Sequence, residues 1–239
     1  MLRAEQVSRV FPGGQIALQG VDFRLARGDF LVLLGPSGCG KSTLLRLIAG
    51  LDAPHGGALV WQDAPPAAGD IGFVFQDPTL MPWATAAQNA SLPLRLRGRG
   101  AAPALEMLAR IGLEGFENVR PGKLSGGMRM RVSIARAMAP RPRLLLMDEP
   151  FAALDEFTRH RLQSDLRALA AETGCTTVFV THSIYEAAFL ATRVLIMSPR
   201  PGRIAVAHEF GQPPADRLGA DYAGRVAALT QSLAGLQPA

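Results

Sequence analysis

Lysine is nearly missing from these 239 residues: Lys41 and Lys123 are the only two, and every other basic side chain is arginine. Scattered arginine reads as a solvated face. With aromatics at 6%, no basic run interleaved with rings appears, which argues against a nucleic-acid surface. Cysteine is almost as scarce. Cys39 and Cys175 stand in no metal-ligand spacing, and two isolated cysteines suit a reducing compartment. Long hydrophobic runs are lacking too: the most apolar stretches, such as Phe30–Leu34 and Leu144–Met147, are strand-length and far too short to span a bilayer. Residues 1–20 have neither the charged start nor the long apolar stretch of a signal peptide. The expectation is a soluble, cytoplasmic chain that takes any membrane role through a partner.

What is present suits a packed α/β globule: 48% hydrophobic residues, 19% charged and a net charge of +5. The length allows one large domain, or a domain with a subdomain. Leu2–Val10 and Ile16–Leu25 predict antiparallel strands joined by a turn at Pro12, Gly13 and Gly14. Phe30–Leu34 is a continuous apolar run, as expected of a strand buried on both faces. A glycine-rich loop follows, then a helix over Ser42–Gly50 that ends at its glycine, and a short strand at Ile71–Phe75. From Asp77 to about Pro140 helical patterns dominate, broken at Pro93, Gly98–Pro103 and Pro121-Gly122. Strand character returns at Leu144–Met147, Thr177–Thr181 and Val194–Met197, with a helix over Asp155–Glu172 between the first two. Strands alternating with helices imply a parallel sheet covered by helices. The tail after His208 carries one short helix near Val226–Leu233.

Three motifs carry chemistry. Gly35-Pro36-Ser37-Gly38-Cys39-Gly40-Lys41-Ser42-Thr43 has the GxxxxGK[ST] spacing, set between a buried strand and a helix. Its glycines let successive N–H groups turn onto phosphate oxygens, and the helix N-terminus adds its dipole. Lys41 supplies a compact ammonium for the β- and γ-phosphates and Ser42 a hydroxyl for Mg²⁺. Leu144–Met147 runs into Asp148 and Glu149, placing one acid to hold Mg²⁺, usually through water, and the other to polarise an attacking water. Leu124-Ser125-Gly126-Gly127 precedes a helix expected over Met128–Ala139, with Ser125 as its N-cap and the glycines open to an anion.

Taken in order, the phosphate loop, Gln76, the LSGG segment, Asp148-Glu149, Ala153-Leu154-Asp155 and His182 resemble the nucleotide-binding subunit of an ATP-binding cassette (ABC) transporter over nearly the whole chain. The resemblance implies an α/β fold: a RecA-like P-loop NTPase core with an antiparallel β subdomain and an inserted helical subdomain. Core and β subdomain would occupy residues 1–76 and 141–207, the helical subdomain 77–140 and a tail 208–239. It implies ATP and Mg²⁺, and two copies that sandwich two ATP molecules head to tail. Gln76 is assigned to Mg²⁺ and to sensing the membrane partner. Ser125, Gly126 and Gly127 are placed on the γ-phosphate held by the opposite copy. Asp155 would cross the dimer interface, and His182 would contact the γ-phosphate and hold the catalytic geometry. Phe11 falls where the family stacks an aromatic ring on adenine. His182 also ends the apolar run Thr177–Thr181 and so should emerge at the sheet edge where open α/β folds bind ligands.

Met128 and Met130 stand where the family usually carries glutamines, the second bearing on contacts across the dimer, and Ser183 replaces a common aspartate. Gln76–Trp83 and Met197–Ile204 resemble the importer branch for nitrate, sulfonates, taurine and thiamine precursors. The implied partners are a second copy, separate permeases and, indirectly, a solute-binding protein, at the cytoplasmic face of a bacterial inner membrane; nucleic acid is not among them. Leu80, Met81 and Trp83 would either cup a permease helix or fill the subdomain core. A soluble ABC-type ATPase of DNA repair or translation would need a long coiled-coil insertion or tandem cassettes. A monomeric P-loop kinase or GTPase would leave LSGG and His182 without purpose. The catalytic motifs do not encode the solute.

Overall fold

The computed structural model describes residues 1–62, 64–67 and 69–236; residues 63, 68 and 237–239, which fall in the expected core and tail, lie outside the described residues. In chain order the elements are β1 (Leu2–Val10), β2 (Ile16–Leu25), β3 (Phe30–Leu34), α1 (Lys41–Ile48), β4 (Gly56–Trp61), β5 (Ile71–Val74), α2 (Ala86–Arg95) and α3 (Ala102–Arg110). They continue as α4 (Gly126–Met138), β6 (Leu144–Asp148), α5 (Glu156–Thr173), β7 (Thr176–Thr181), α6 (Ile184–Leu190), β8 (Arg193–Met197), β9 (Ile204–Glu209) and α7 (Ala220–Ala234). The chain divides into two compact units, Met1–Pro65 with Thr176–Ala239, and Pro66–Cys175.

The first unit holds an antiparallel sheet in the order β2-β1-β4 and the run β7-β3-β8-β9, whose first three strands are parallel. The turn between β1 and β2 closes where expected, with the Phe11 N–H on the Gln15 carbonyl at 2.8 Å. All five residues of β3 are buried, as a strand covered on both faces requires. Val32 lies between Phe179 of β7 and Val194 of β8, and Leu44, Leu45, Leu47 and Ile48 of α1 are buried. The α1 helix ends in a pair of bonds, Gly50 N–H to Leu47 O and Leu51 N–H to Arg46 O, each 3.0 Å, that satisfies its last carbonyls. Phe179 is fully buried, with its ring 6.0 Å from that of Phe30. Phe179→Ala is therefore expected to cost about 3–5 kcal/mol, read as a lowered midpoint in urea unfolding.

In the second unit β5 and β6 pair in parallel, Val74 opposite Met147, and α2 to α5 accompany them. Thr85 and Gln88 form a reciprocal capping box at the start of α2. One expectation fails here: α2 does not break at Pro93 but runs through it to Arg95. Proline removes only its own N–H from the ladder, and two residues before the helix end that loss falls in a turn that is already terminating. Pro103 likewise opens α3, in its first turn, where its missing N–H has no helical partner. The tail helix α7 is longer than its sequence pattern, and β4, α6 and β9 had no expectation attached. The β9 side chains alternate between half-buried and exposed, which leaves little apolar signal.

Candidate functional site

Strand β3 delivers the chain into the phosphate loop. Gly40 caps α1 with φ 101°, and a Cβ there would stand 2.7 Å from Leu18 Cδ2 and 2.9 Å from the Ala17 carbonyl. Only glycine satisfies both the left-handed backbone and that clearance. Pro36, Ser37, Gly38 and Ser42 are exposed, Gly35 and Cys39 are buried, and Gly40 and Thr43 lie between. Lys41 is only 4% exposed, and its Nζ donates to the carbonyls of Gly35 and Pro36 at 2.8 Å each. An ammonium is thus held inside the loop, against the loop's own carbonyls.

The register of the sheet brings His182 to the same place. Leu34 pairs with Thr181 across β3 and β7, so Gly35 and His182 leave adjacent strands at the same edge. Gly35, Pro36 and His182 line one side of a cavity of about 470 Å³ whose other side includes Thr230 and Leu233 of α7. Sequence reading missed a ring of hydrogen bonds around His182. The Thr181 hydroxyl donates to the buried Glu186 carboxylate at 2.5 Å, the Ser183 N–H donates to Thr181 Oγ1 at 3.0 Å, and Ser183 Oγ accepts from the Glu186 N–H at 3.4 Å. The ring fixes the backbone on both sides of His182. Its signal was a Ser with Glu three residues later, the pattern of a helix start. Phe11 is half-buried at the turn between β1 and β2, and Ala17 and Leu18 of that hairpin are the residues that touch Gly40.

In the second unit the pairing of Val74 with Met147 sends Gln76 and the acids Asp148 and Glu149 off one edge. Gln76 is exposed and both acids are half-buried. Glu149 has φ 44°, a left-handed conformation that costs a non-glycine residue about 1–2 kcal/mol. Strain of this kind gathers at functional sites, and here it falls on the expected water-polarising group. Ser125 caps α4 as expected, accepting the Met128 N–H at 3.2 Å, and the helix begins at Gly126, earlier than its sequence pattern. Gly126 is exposed, whereas a Cβ on Gly127 would meet Thr158 Cγ2 at 2.7 Å. Asp155 is exposed and caps α5 through the Thr158 N–H at 2.9 Å. That backbone hydrogen bond holds its carboxyl below the usual range, so it stays charged. Met128 is half-buried, and Met130 is buried in α4, which makes its substitution a matter of core packing.

No cluster of three or more His, Cys, Asp or Glu side chains among the described residues suits a metal ion. Ser42, Gln76 and Asp148 offer a hydroxyl, an amide oxygen and one carboxylate. Each is an oxygen donor of the kind Mg²⁺ takes, an ion that keeps several waters and shares substrate phosphates rather than needing a full protein cage.

Another segment missed in sequence is the clamp beneath Trp83. Asn89 is fully buried; its Oδ1 accepts the Met81 N–H, and its Nδ2 donates to the carbonyls of Met81, Ala84 and Thr85. Arg136 holds the same loop through Pro78 O, Thr79 O and Thr79 Oγ1. Trp83 is 72% exposed on this fastened loop, with Leu80 and Met81 half-buried.

Comparison with known proteins follows the same lines. A family profile described as ABC transporter matches residues 18–152. The chain is similar to the taurine import ATP-binding protein TauB of Yersinia pestis bv. Antiqua, at 47% identity over 208 residues, covering 83% of this chain and 81% of that protein. It is 46% identical over 207 residues to the aliphatic sulfonates import ATP-binding protein SsuB 1 of Pseudomonas syringae, covering 85% and 84%. Among solved structures, a dimeric ATP-binding cassette in a post-hydrolysis state bound to ADP and Pi superposes with a TM-score of 0.78 at 34% identity, over 88% of this chain and 99% of that one.

Proposed function

The chain belongs to the ABC transporter family and is an ABC-type ATPase, and from that premise we propose that it drives import of a small sulfonate or similar solute as half of an ATP-closed dimer. The observation that carries the site assignment is the Lys41 ammonium, stored at 2.8 Å from two carbonyls of its own loop. ATP entering the loop draws that ammonium onto its β- and γ-phosphates, while the loop N–H groups take the remaining oxygens. Ser42, Gln76 and Asp148 would hold Mg²⁺, which supplies neutralisation of phosphate charge when bound. Phe11 stacks on the adenine.

Glu149 takes a proton from the attacking water, and His182 holds the γ-phosphate in line. Ser125, Gly126 and Gly127 of a second copy close over the same phosphate, and Asp155 meets that copy. ATP binding then joins the copies and hydrolysis parts them. The names of the taurine and sulfonate relatives support the importer reading; no observation favours a soluble ATPase of DNA repair or translation.

No helix among the described residues is long and apolar enough to cross a membrane. The subunit works peripherally at the cytoplasmic face of the inner membrane, docked on a permease through the helical segment 77–140, with a solute-binding protein engaged only indirectly. Trp83, exposed on a fastened loop, is the side chain such a permease would bury. Affinity purification from membranes should recover a permease with the wild type, and Trp83→Ala should lower that recovery about tenfold. Recovery of nucleic acid without any permease would overturn the proposal.

A further inference from the structure

We propose that Arg200 is a positioning residue for nucleotide binding, which keeps the phosphate loop shaped for ATP by drawing the Gly38 carbonyl away from the phosphates. The proposal rests on the reading of Gly35–Thr43 as the ATP site. Nothing in that reading uses the segment Ser198-Pro199-Arg200-Pro201-Gly202-Arg203, although it lies directly against the loop.

Its seat is tight. A Cβ on Gly202 would stand 2.0 Å from the Cys39 carbonyl and 3.2 Å from that of Ala17, so no side chain fits there. The Gly202 N–H donates to Ala17 O and its carbonyl accepts from the Gln19 N–H, both at 3.0 Å. Arg203 reaches Gln19 Oε1 at 2.6 Å, and its N–H is held by Ser198 Oγ at 3.1 Å. The segment is thereby fixed between β2 and the outer wall of the phosphate loop.

From this seat Arg200 folds back onto the loop. Its Nη2 and Nε donate to the Gly38 carbonyl at 2.9 and 3.2 Å. An exposed arginine gives up rotamer freedom to do so, and a charged donor makes a stronger bond than a neutral one. The peptide is planar and trans, so a carbonyl drawn outward turns the following N–H inward. That N–H belongs to Cys39, and its contact with Pro36 O is long, 3.4 Å. Lys41 holds the carbonyls of Gly35 and Pro36, and Arg200 holds that of Gly38. Lys41 leaves its two carbonyls once ATP draws it onto the phosphates, so Arg200 is the cation that goes on restraining a loop carbonyl, that of Gly38, from turning its negative end to the nucleotide.

The test compares Arg200→Ala and Arg200→Lys with the wild type, in ATP binding by calorimetry, in steady-state hydrolysis, and in hydrogen exchange of the Ser37–Lys41 amides without nucleotide. Arg200 is exposed, so the variants keep their fold. Arg200→Ala is expected to raise both Kd and KM for ATP about fivefold, with kcat at saturating ATP within about twofold. Exchange of the loop amides should quicken, and Arg200→Lys, able to give the carbonyl one bond, should fall between. An unchanged Kd, a lowered kcat at constant KM, or a lysine variant as weak as alanine would overturn the assignment. Should the wild type itself fail to bind ATP, the reading of the loop falls. The exchange comparison still decides on Arg200, because unchanged exchange removes its role.

Discussion

Glu149→Gln is expected to bind ATP with wild-type affinity while turnover falls at least about a hundredfold, the usual worth of a general base. Glutamine keeps the size and the hydrogen-bonding oxygen of the side chain but cannot take the proton from water. Glu149 sits one residue beyond β6 at a left-handed φ of 44°, so the backbone fixes where the carboxylate starts, and the substitution leaves that backbone alone. With hydrolysis arrested and binding intact, the ATP-bound dimer should accumulate, visible as a nucleotide-dependent shift from monomer to dimer in size-exclusion chromatography. Rapid hydrolysis by the variant would remove Glu149 from the mechanism. Loss of ATP binding would mean that the side chain belongs to the binding site.

Equimolar Lys41→Ala and Ser125→Arg subunits should recover activity that neither has alone. Lys41→Ala removes the ammonium that the loop stores, and Ser125→Arg places a long cation at the exposed cap of α4. If each site is built from one copy's phosphate loop and the other's Ser125–Gly127, a mixed dimer has one site with both lesions and one with neither. Random pairing then returns roughly a quarter of the wild-type sites, since half the dimers are mixed and each of those has one intact site of two. Activity no higher than the separate mutants, under conditions where dimers form, would end the two-copy arrangement.

Much of this site was legible because its chemistry is local in sequence. A nine-residue loop needs glycine where backbone meets Leu18 and Ala17, a lysine within it and a hydroxyl next to that lysine. None of these requirements depends on distant packing. The strands that lead to Lys41, His182 and Glu149 are equally plain, since a strand buried on both faces leaves an unbroken apolar run, as at Phe30–Leu34. What escaped was the support. Glu186 looks like a surface acid in the sequence, and only the fold buries it under Thr181. Arg200 is one of many arginines until Gly202 seats its loop on Cys39. Asn89 reads as a polar helix residue, whereas three carbonyls converge on its amide. Pro93 reads as a break in the sequence because local propensity ignores how near a helix already is to its end.

The resting position of Lys41 bears on which anions the loop can retain. Its ammonium is not waiting in water; it already donates to the oxygens of Gly35 and Pro36 and contacts Cys39 Sγ. A visiting anion must therefore displace these existing bonds before it gains the charge, and a lone phosphate or sulfate offers little beyond that exchange. A chain of phosphates can engage the loop amides first and reach the lysine afterwards. In the proposed ATP site, this self-contact weights retention toward a polyphosphate over a single small anion.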